Sequence, residues 1–473
     1  MERLFHIRQR GTRPGTEVLG GVTTFITMAY IIVVNPAILS AAGIPVGPST
    51  IATILTAAFG SILMGLVANR PIAVAPYMGE NAFIAFGLAT LGIGWQLRLG
   101  AVFVSGVIFL VVTVLRVRGW LANSISPTMK YSFALGVGFL LAFIGLNDIG
   151  LVKSYAVGKP PLALFPPGVP LDPSAPIPGS GVPVPVEIGS LTDGRVILAV
   201  AGLVLMAVLT SLRMRGALLI GIVATAAAGI ALGYGNAPER IAELPRWSGP
   251  DGLGAIAGKL RFSETLPDGR TLSLFSMTLL PVLLTLFLMD FLDTLGTLMG
   301  VGAAGNMLDE RGDFPEIERP MLVDAASCVF SAVAGTSTSG AYIESAAGIK
   351  EGARTGLAAV VTGGLFLLCI FFVPLVAALT ELRFAYGPAL IVVGMMLMPA
   401  FRKMDLEDLT EFLPAFLTIV MMSLTFNPAN GVTAGLAVYP VMKVLTGRAH
   451  ERNAGMIVLG AVCALYYVFG FIH

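Results

Sequence analysis

Apolar runs of bilayer length recur along the chain, near 17–39, 50–68, 73–91, 98–115, 130–147, 196–213, 217–234, 275–303, 320–336, 341–350, 354–379, 387–402, 409–425, 429–446 and 454–471. A run of about 17–25 residues crosses a hydrocarbon layer of about 30 Å as one helix. The pattern therefore predicts an all-α polytopic membrane protein. Two runs, 73–91 and 341–350, are interrupted. The second belongs to TSTSGAYIESAAGI (336–349), where Thr336 to Gly340 are poor helix formers. Glu344 then opens a helix of small residues, a setting that suits the positive end of a helix dipole. Non-helical backbone at membrane depth is tolerated only where it is buried or lines a cavity. Broken helices of this kind point to a transporter's binding site.

Basic residues order the spans. With the N-terminus inside, Arg70, Arg116, Arg118, Lys130, Arg213, Arg215, Arg354, Arg402 and Lys403 all fall on cytoplasmic turns. The first seventeen residues are polar and basic and precede a full-length run. This pattern predicts a multi-pass protein of the inner or plasma membrane, without a cleaved signal peptide and with a cytoplasmic N-terminus. Segments 409–425 and 429–446 are short and joined by NPAN, so the count is fourteen or fifteen. Residues 148–195 are rich in Pro, Gly and Ser and read as an extended external loop. Residues 235–274 form a second external insertion with hints of strand near 259–274. The link 309–320 reads as a solvated cytoplasmic connector.

The interrupted runs also reveal a repeat. SILMGLVANRPIAVAPYMGENAFIAF (61–86) resembles SCVFSAVAGTSTSGAYIESAAGI (327–349), with Glu80 and Glu344 in matching places. Seven spans precede the second copy, so it is inverted relative to the first, about an axis in the membrane plane.

Composition narrows the class. Of 473 residues, 56% are hydrophobic and 12% charged, against about 25% charged in soluble domains. The net charge of +1 argues against a nucleic-acid partner. The three cysteines, Cys328, Cys369 and Cys463, are far apart in apolar runs and read as core residues. Neither a metal site nor a cofactor is expected.

The candidate chemistry is acidic. Asp290 and Asp293 are the only charges in 275–303, and the i, i+3 spacing puts them on one helix face with Thr294 and Thr297. A mid-bilayer charge costs about 3 kcal/mol on insertion scales, so it needs a cavity, a partner or a proton. Glu344 and Glu80 share the helix-opening setting, with Met78 and Gly79 beside Glu80. Asn81 offers donor and acceptor together, as needed to read a heterocycle edge. Thr23, Thr24, Thr27 and Tyr30 form a possible polar face on the first span. Asp324 reads as structural. All three histidines, His6, His450 and His473, lie outside the spans or at the chain end, and no buried base is expected. Such a site suits a neutral ligand rich in N–H donors, or a cation, and disfavours an anion. A carboxylate removed from water beside another holds its proton more tightly and can carry it from one side to the other. Proton symport is the expectation, with Na⁺ left open.

MAYIIVVNPAIL (28–39), GENAFIAF (79–86), DFLDTLGTLMGVG (290–302) and TSTSGAYIESAAGI (336–349) resemble the AzgA-like purine permeases of the nucleobase–cation symporter-2 superfamily. The resemblance implies fourteen spans in two inverted seven-span repeats, with short strands in spans 3 and 10. It implies a core domain from 17–125 and 275–380 and a gate domain from 126–234 and 381–473, with 1–16 as a cytoplasmic N-terminus. It further implies proton-coupled import of hypoxanthine, guanine or adenine, and a homodimer joined through the gate domain. The purine-binding acid of span 8 falls on Asp290 or Asp293, the span-10 glutamate on Glu344 and the span-3 asparagine on Asn81. Backbone N–H groups near Tyr342, Ile343 and Glu344 would face the base. Glu80 and Tyr77 depart from the family pattern and leave the particular purine open. The rival expectations are a uracil, xanthine or sodium-coupled transporter of this fold, or an anion transporter. An intramembrane aspartyl protease lacks a second span with an opposed acid.

Overall fold

The structure is a computed structural model that describes residues 2–116, 124–154, 156–157, 163–164, 186–266, 269, 271–276, 279–309, 314–448 and 453–470. Each apolar run becomes a helix, a joined helix pair or a strand with a half-helix. The first run breaks into α1 (Pro14–Met28) and α2 (Ile31–Ser40), with Tyr30 at the joint. Then follow α3 (Val46–Leu63), β1 (Val74–Pro76), α4 (Met78–Ala82), α5 (Trp95–Val114), α6 (Pro127–Asp148), β2 (Val152–Ser154), β3 (Val186–Ile188), α7 (Gly194–Ser211) and α8 (Ala217–Ala231). The remainder comprises β4 (Ser263–Thr265), β5 (Thr271–Ser273), α9 (Leu280–Ala304), α10 (Glu318–Ala334), β6 (Ser339–Ala341), α11 (Ser345–Lys350), α12 (Gly356–Leu368), α13 (Val373–Glu381), α14 (Arg383–Leu397), α15 (Leu409–Leu424), α16 (Pro428–Leu445) and α17 (Ala454–Gly470). Among the described residues, eight helices or joined pairs are long and apolar enough to cross a membrane. The protein is a polytopic all-α membrane protein.

The interrupted runs meet at the centre. β1 pairs antiparallel with β6 in the register Val74↔Ala341, Ala75↔Gly340, Pro76↔Ser339. Tyr77 N–H to Thr338 O (3.0 Å) and Tyr342 N–H to Ala73 O (2.9 Å) extend the ladder at its ends. Backbone groups in a helix-poor stretch must find partners, and each strand supplies them to the other across more than 260 positions of sequence. Gly335, at φ +101°, ends α10 and turns the chain into β6; a Cβ there would meet Ile256 and the conformation favours glycine.

Helices pack in two sets around this crossing. α6 packs on α14 and α15, and α7 and α8 pack on α14. The second set joins α5 to α9 and α10, and α12 to α1 and α3. α15 and α16 form a hairpin through NPAN, with Asn427 capping α16 by accepting from Ala429 N–H at 3.0 Å. Residues 148–195 were expected as an extended external loop; most of them lie outside the described residues, but the described ends are closed by a β2–β3 ladder. The strand hints near 259–274 are the β4–β5 hairpin. That insertion is docked on the start of α5, where Gly94 N–H donates to Glu264 at 2.8 Å and Arg261 N–H to Gln96 O at 2.9 Å.

Candidate functional site

A cavity of about 680 Å³ lies where α9 and the two strand-to-helix turns face α6 and α14. Its acids are Asp293 from α9 and Glu344, which stands at the start of α11. Both are half-buried. Glu344 Oε1 accepts a hydrogen bond from Tyr30 OH at 2.8 Å, so the break in the first run places a donor on the acid of the second repeat. Tyr77 and Tyr342, which follow β1 and β6 at equivalent places, hold their rings nearly parallel, 10° apart with centroids at 6.1 Å. Both rings line the cavity. Tyr77 OH meets Thr294 Oγ1 at 3.1 Å, and Tyr342 OH donates to Pro76 O. Gly340 makes room for this arrangement, since a Cβ there would run into the Tyr77 ring.

More carboxylates stand behind the wall. Glu80, fully buried on α4, faces Asp293, with Asp290 and Asp324 farther off. Among the described residues the polar side chains against these two acids are Asp293 beside Glu80 and the Cys328 thiol beside Asp290. Asp324 Oδ2 accepts from Thr294 Oγ1. No ion pair joins these acids to a Lys or Arg among the described residues. Lys130 and Lys403 lie elsewhere on the cavity lining. A second cavity of about 610 Å³ adjoins the first; Thr27 and Glu344 line it together with Arg213 and Lys350.

The expected site residues thus divide. Met78, Gly79, Asp293, Tyr342, Ile343 and Glu344 line the main cavity. Thr27 lines only the adjoining one, and its hydroxyl donates to the carbonyls of Thr23 and Thr24 in its own helix. Asp290 is fully buried beside the Cys328 thiol and does not reach the cavity. Residues three apart on a helix are still offset by about 60° about the axis, and that offset separates Asp290 from Asp293. Asn81 does not line the cavity either. It lies about 200° around α4 from Gly79, and its amide donates to Asn35 Oδ1 at 2.9 Å. The Tyr342 N–H, expected to face a ligand, is taken by Ala73 O.

Sequence reasoning missed three contributors. Asp324, read as structural, is buried and accepts from Thr294 of α9; Tyr77 was noted only as a departure; Asn35 only as part of a motif. That Tyr77 and Tyr342 each directly follow the strand-like piece of their repeat was the available signal. The expectation of no buried base is corrected as well. Arg98 is 6% exposed, because its guanidinium donates to the carbonyls of Ile84, Ala85 and Ile93 in the turns that follow α4. Lys443 is buried against Glu411 at 2.8 Å.

A bundle of membrane-length helices around crossed half-spans, enclosing a cavity with acids from two helices, defines a membrane transporter rather than an enzyme. The chain belongs to the Permease family, which it matches over residues 15–171 and 180–433. It is 35% identical to the adenine permease AdeP of Escherichia coli over 470 residues, covering 99% of this chain and 96% of that protein. It is 36% identical to the guanine/hypoxanthine permease PbuG of Bacillus subtilis over 480 residues, covering 99% of this chain and all of that protein. These relatives agree with the AzgA-like resemblance of the motifs. Among solved structures, the transmembrane domain of the cyanobacterial bicarbonate transporter BicA superposes with a TM-score of 0.59 at 16% identity, over 89% of this chain and 97% of that one. Murine Slc26a9 in an inward-facing state gives 0.60 at 12% identity, over 91% of this chain and 68% of that one. At such identities the likeness concerns the fold alone.

Proposed function

We propose that this permease imports a purine nucleobase, hypoxanthine, guanine or adenine, together with protons. The observation that carries the reading is the convergence of Asp293 and Glu344 on one cavity that the rings of Tyr77 and Tyr342 also line. Ring N–H and amino groups of a purine donate to carboxylates, and its plane packs on an aromatic face. A neutral base pays no penalty beside Asp293 and Glu344, whereas an anion there would be repelled by both acids whenever they are ionised. The names of the bacterial relatives point to the same substrate class.

The two packing sets support a core domain (17–125 and 275–380) that slides against a gate domain (126–234 and 381–473). Glu344, with Asp293, holds the base and the coupling proton; Asp290 lies behind them in the same buried group. The protein would sit in the inner membrane with its N-terminus in the cytoplasm and pair through the gate domain. The test is a thermal-shift screen of purified protein against nucleobases and bicarbonate at two pH values, with and without sodium. A ligand that binds only the folded state raises Tm. Stabilisation by purines, stronger at the lower pH and indifferent to sodium, is expected. Stabilisation by bicarbonate alone, or dependence on sodium, overturns the purine–proton reading.

A further inference from the structure

Asn35 sits on α2 with no exposure and saturates its side-chain amide. Its Nδ2 donates to Thr53 Oγ1 on α3 at 2.8 Å and to Thr336 Oγ1, in the segment leading into β6, at 2.9 Å. Its Oδ1 accepts from Asn81 Nδ2 on α4 at 2.9 Å and from Ser337 Oγ at 3.3 Å. One amide thus uses both donors and both lone pairs on four partners from three other parts of the chain. All four partners are fully buried. The two half-spans it ties carry opposite parts of the cavity lining, Met78 and Gly79 on one and Tyr342 to Glu344 on the other. The same broken run reaches Glu344 through Tyr30.

We propose that Asn35 is a positioning residue that sets the spacing of the two cavity walls, and that Asn81 acts on the ligand through Asn35 rather than by reading it. The proposal rests on the purine-site reading. Asn35 has every donor and lone pair engaged, whereas Asn81 Oδ1 lacks a partner among the described residues; a saturated buried amide holds its partners in one geometry, and a wall displaced by a fraction of an ångström weakens every ligand contact alike. A residue that reads the base edge discriminates between bases, because adenine and hypoxanthine present different donors and acceptors. A residue that positions the wall does not discriminate.

The experiment measures the binding of adenine and hypoxanthine to Asn35→Ala, Asn81→Ala and the double variant. Each single change is expected to weaken both bases about tenfold and by the same factor, and the double variant is expected to be no worse than either, since the two act as one unit. If Asn81→Ala shifts the adenine-to-hypoxanthine ratio tenfold while Asn35→Ala binds both bases normally, Asn81 is a direct reader and the proposal falls. A ligand-free readout separates this from the purine reading. Ile343 is 47% exposed on the cavity wall, and the thiol introduced by Ile343→Cys should change its alkylation rate several-fold in the Asn35→Ala background. An unchanged rate overturns the proposal; absence of purine binding by the unmodified protein overturns only the purine reading. Should Asn35→Ala fail to fold, Thr336→Val removes a single partner and is read in the same way.

Discussion

Tyr30→Phe isolates one hydrogen bond of the proposed site. Tyr30 is 2% exposed, and its hydroxyl donates to Glu344 Oε1 at 2.8 Å. Phenylalanine keeps the ring and leaves no cavity beyond one oxygen. Hydrogen bonds to charged groups contribute about 1.5–3 kcal/mol. If that bond holds Glu344 in its ligand-accepting orientation, its loss weakens base binding by about 10- to 150-fold, at roughly 1.4 kcal/mol per tenfold. The assay is the concentration of labelled hypoxanthine giving half-maximal uptake into proteoliposomes, with Kd from thermal shift alongside. Tyr30 also lines the cavity, so the change is repeated in a Glu344→Gln background. There it should add little to the loss, because both variants break the same contact. Binding within twofold of the unmodified protein would refute the role of Tyr30, as would a full additional loss in the double variant.

Glu344→Gln keeps the shape of the side chain but cannot cycle a proton, and uptake driven by a pH gradient should be abolished; normal coupled uptake at normal expression contradicts the coupling role. A Cβ at Gly79 would lie 2.7 Å from Val137 Cγ1, at a contact between the proposed core and gate. Overpacking costs about 1–3 kcal/mol, so Gly79→Val should slow transport at least tenfold and, because Gly79 also lines the cavity, weaken binding as well; an unimpaired rate counts against close packing at this contact. In the external insertion, the hydrogen bond from Arg246 holds the Glu243 carboxyl below its ordinary value. A lowered folded-state pKa gives stability that is present above the unfolded value, about 4.3, and is lost as pH falls through the folded value. Hydrogen exchange in residues 240–254, corrected for intrinsic rates, should therefore accelerate only below about pH 4; acceleration already at pH 6 contradicts the pairing.

Much of this architecture was legible in the order of residues. Apolar run length dictates membrane helices because an unpaired backbone group in hydrocarbon is costly. The run of hydroxyl and glycine residues at 336–340 told that a helix must fail there, and the match of 61–86 with 327–349 told that the failure occurs twice. Glu344 and Asp293 were visible as charges that a bilayer would not otherwise tolerate. The β1–β6 pairing itself was not legible, since both strands are three residues long and their partners lie more than 260 positions apart.

What sequence alone could not decide is the direction each polar side chain takes. Asp290 and Asp293, or Gly79 and Asn81, are near neighbours in the chain, yet a helix turns about 100° per residue. One member of each pair opens onto the cavity and the other turns into the packed interior. Likewise, nothing local announces that Asn35 joins four partners, because Thr336 and Ser337 reach it only when the two repeats cross. The chain's own pattern determines how many charges and helix breaks must be buried; the long-range packing of the repeats determines which of them meet a ligand.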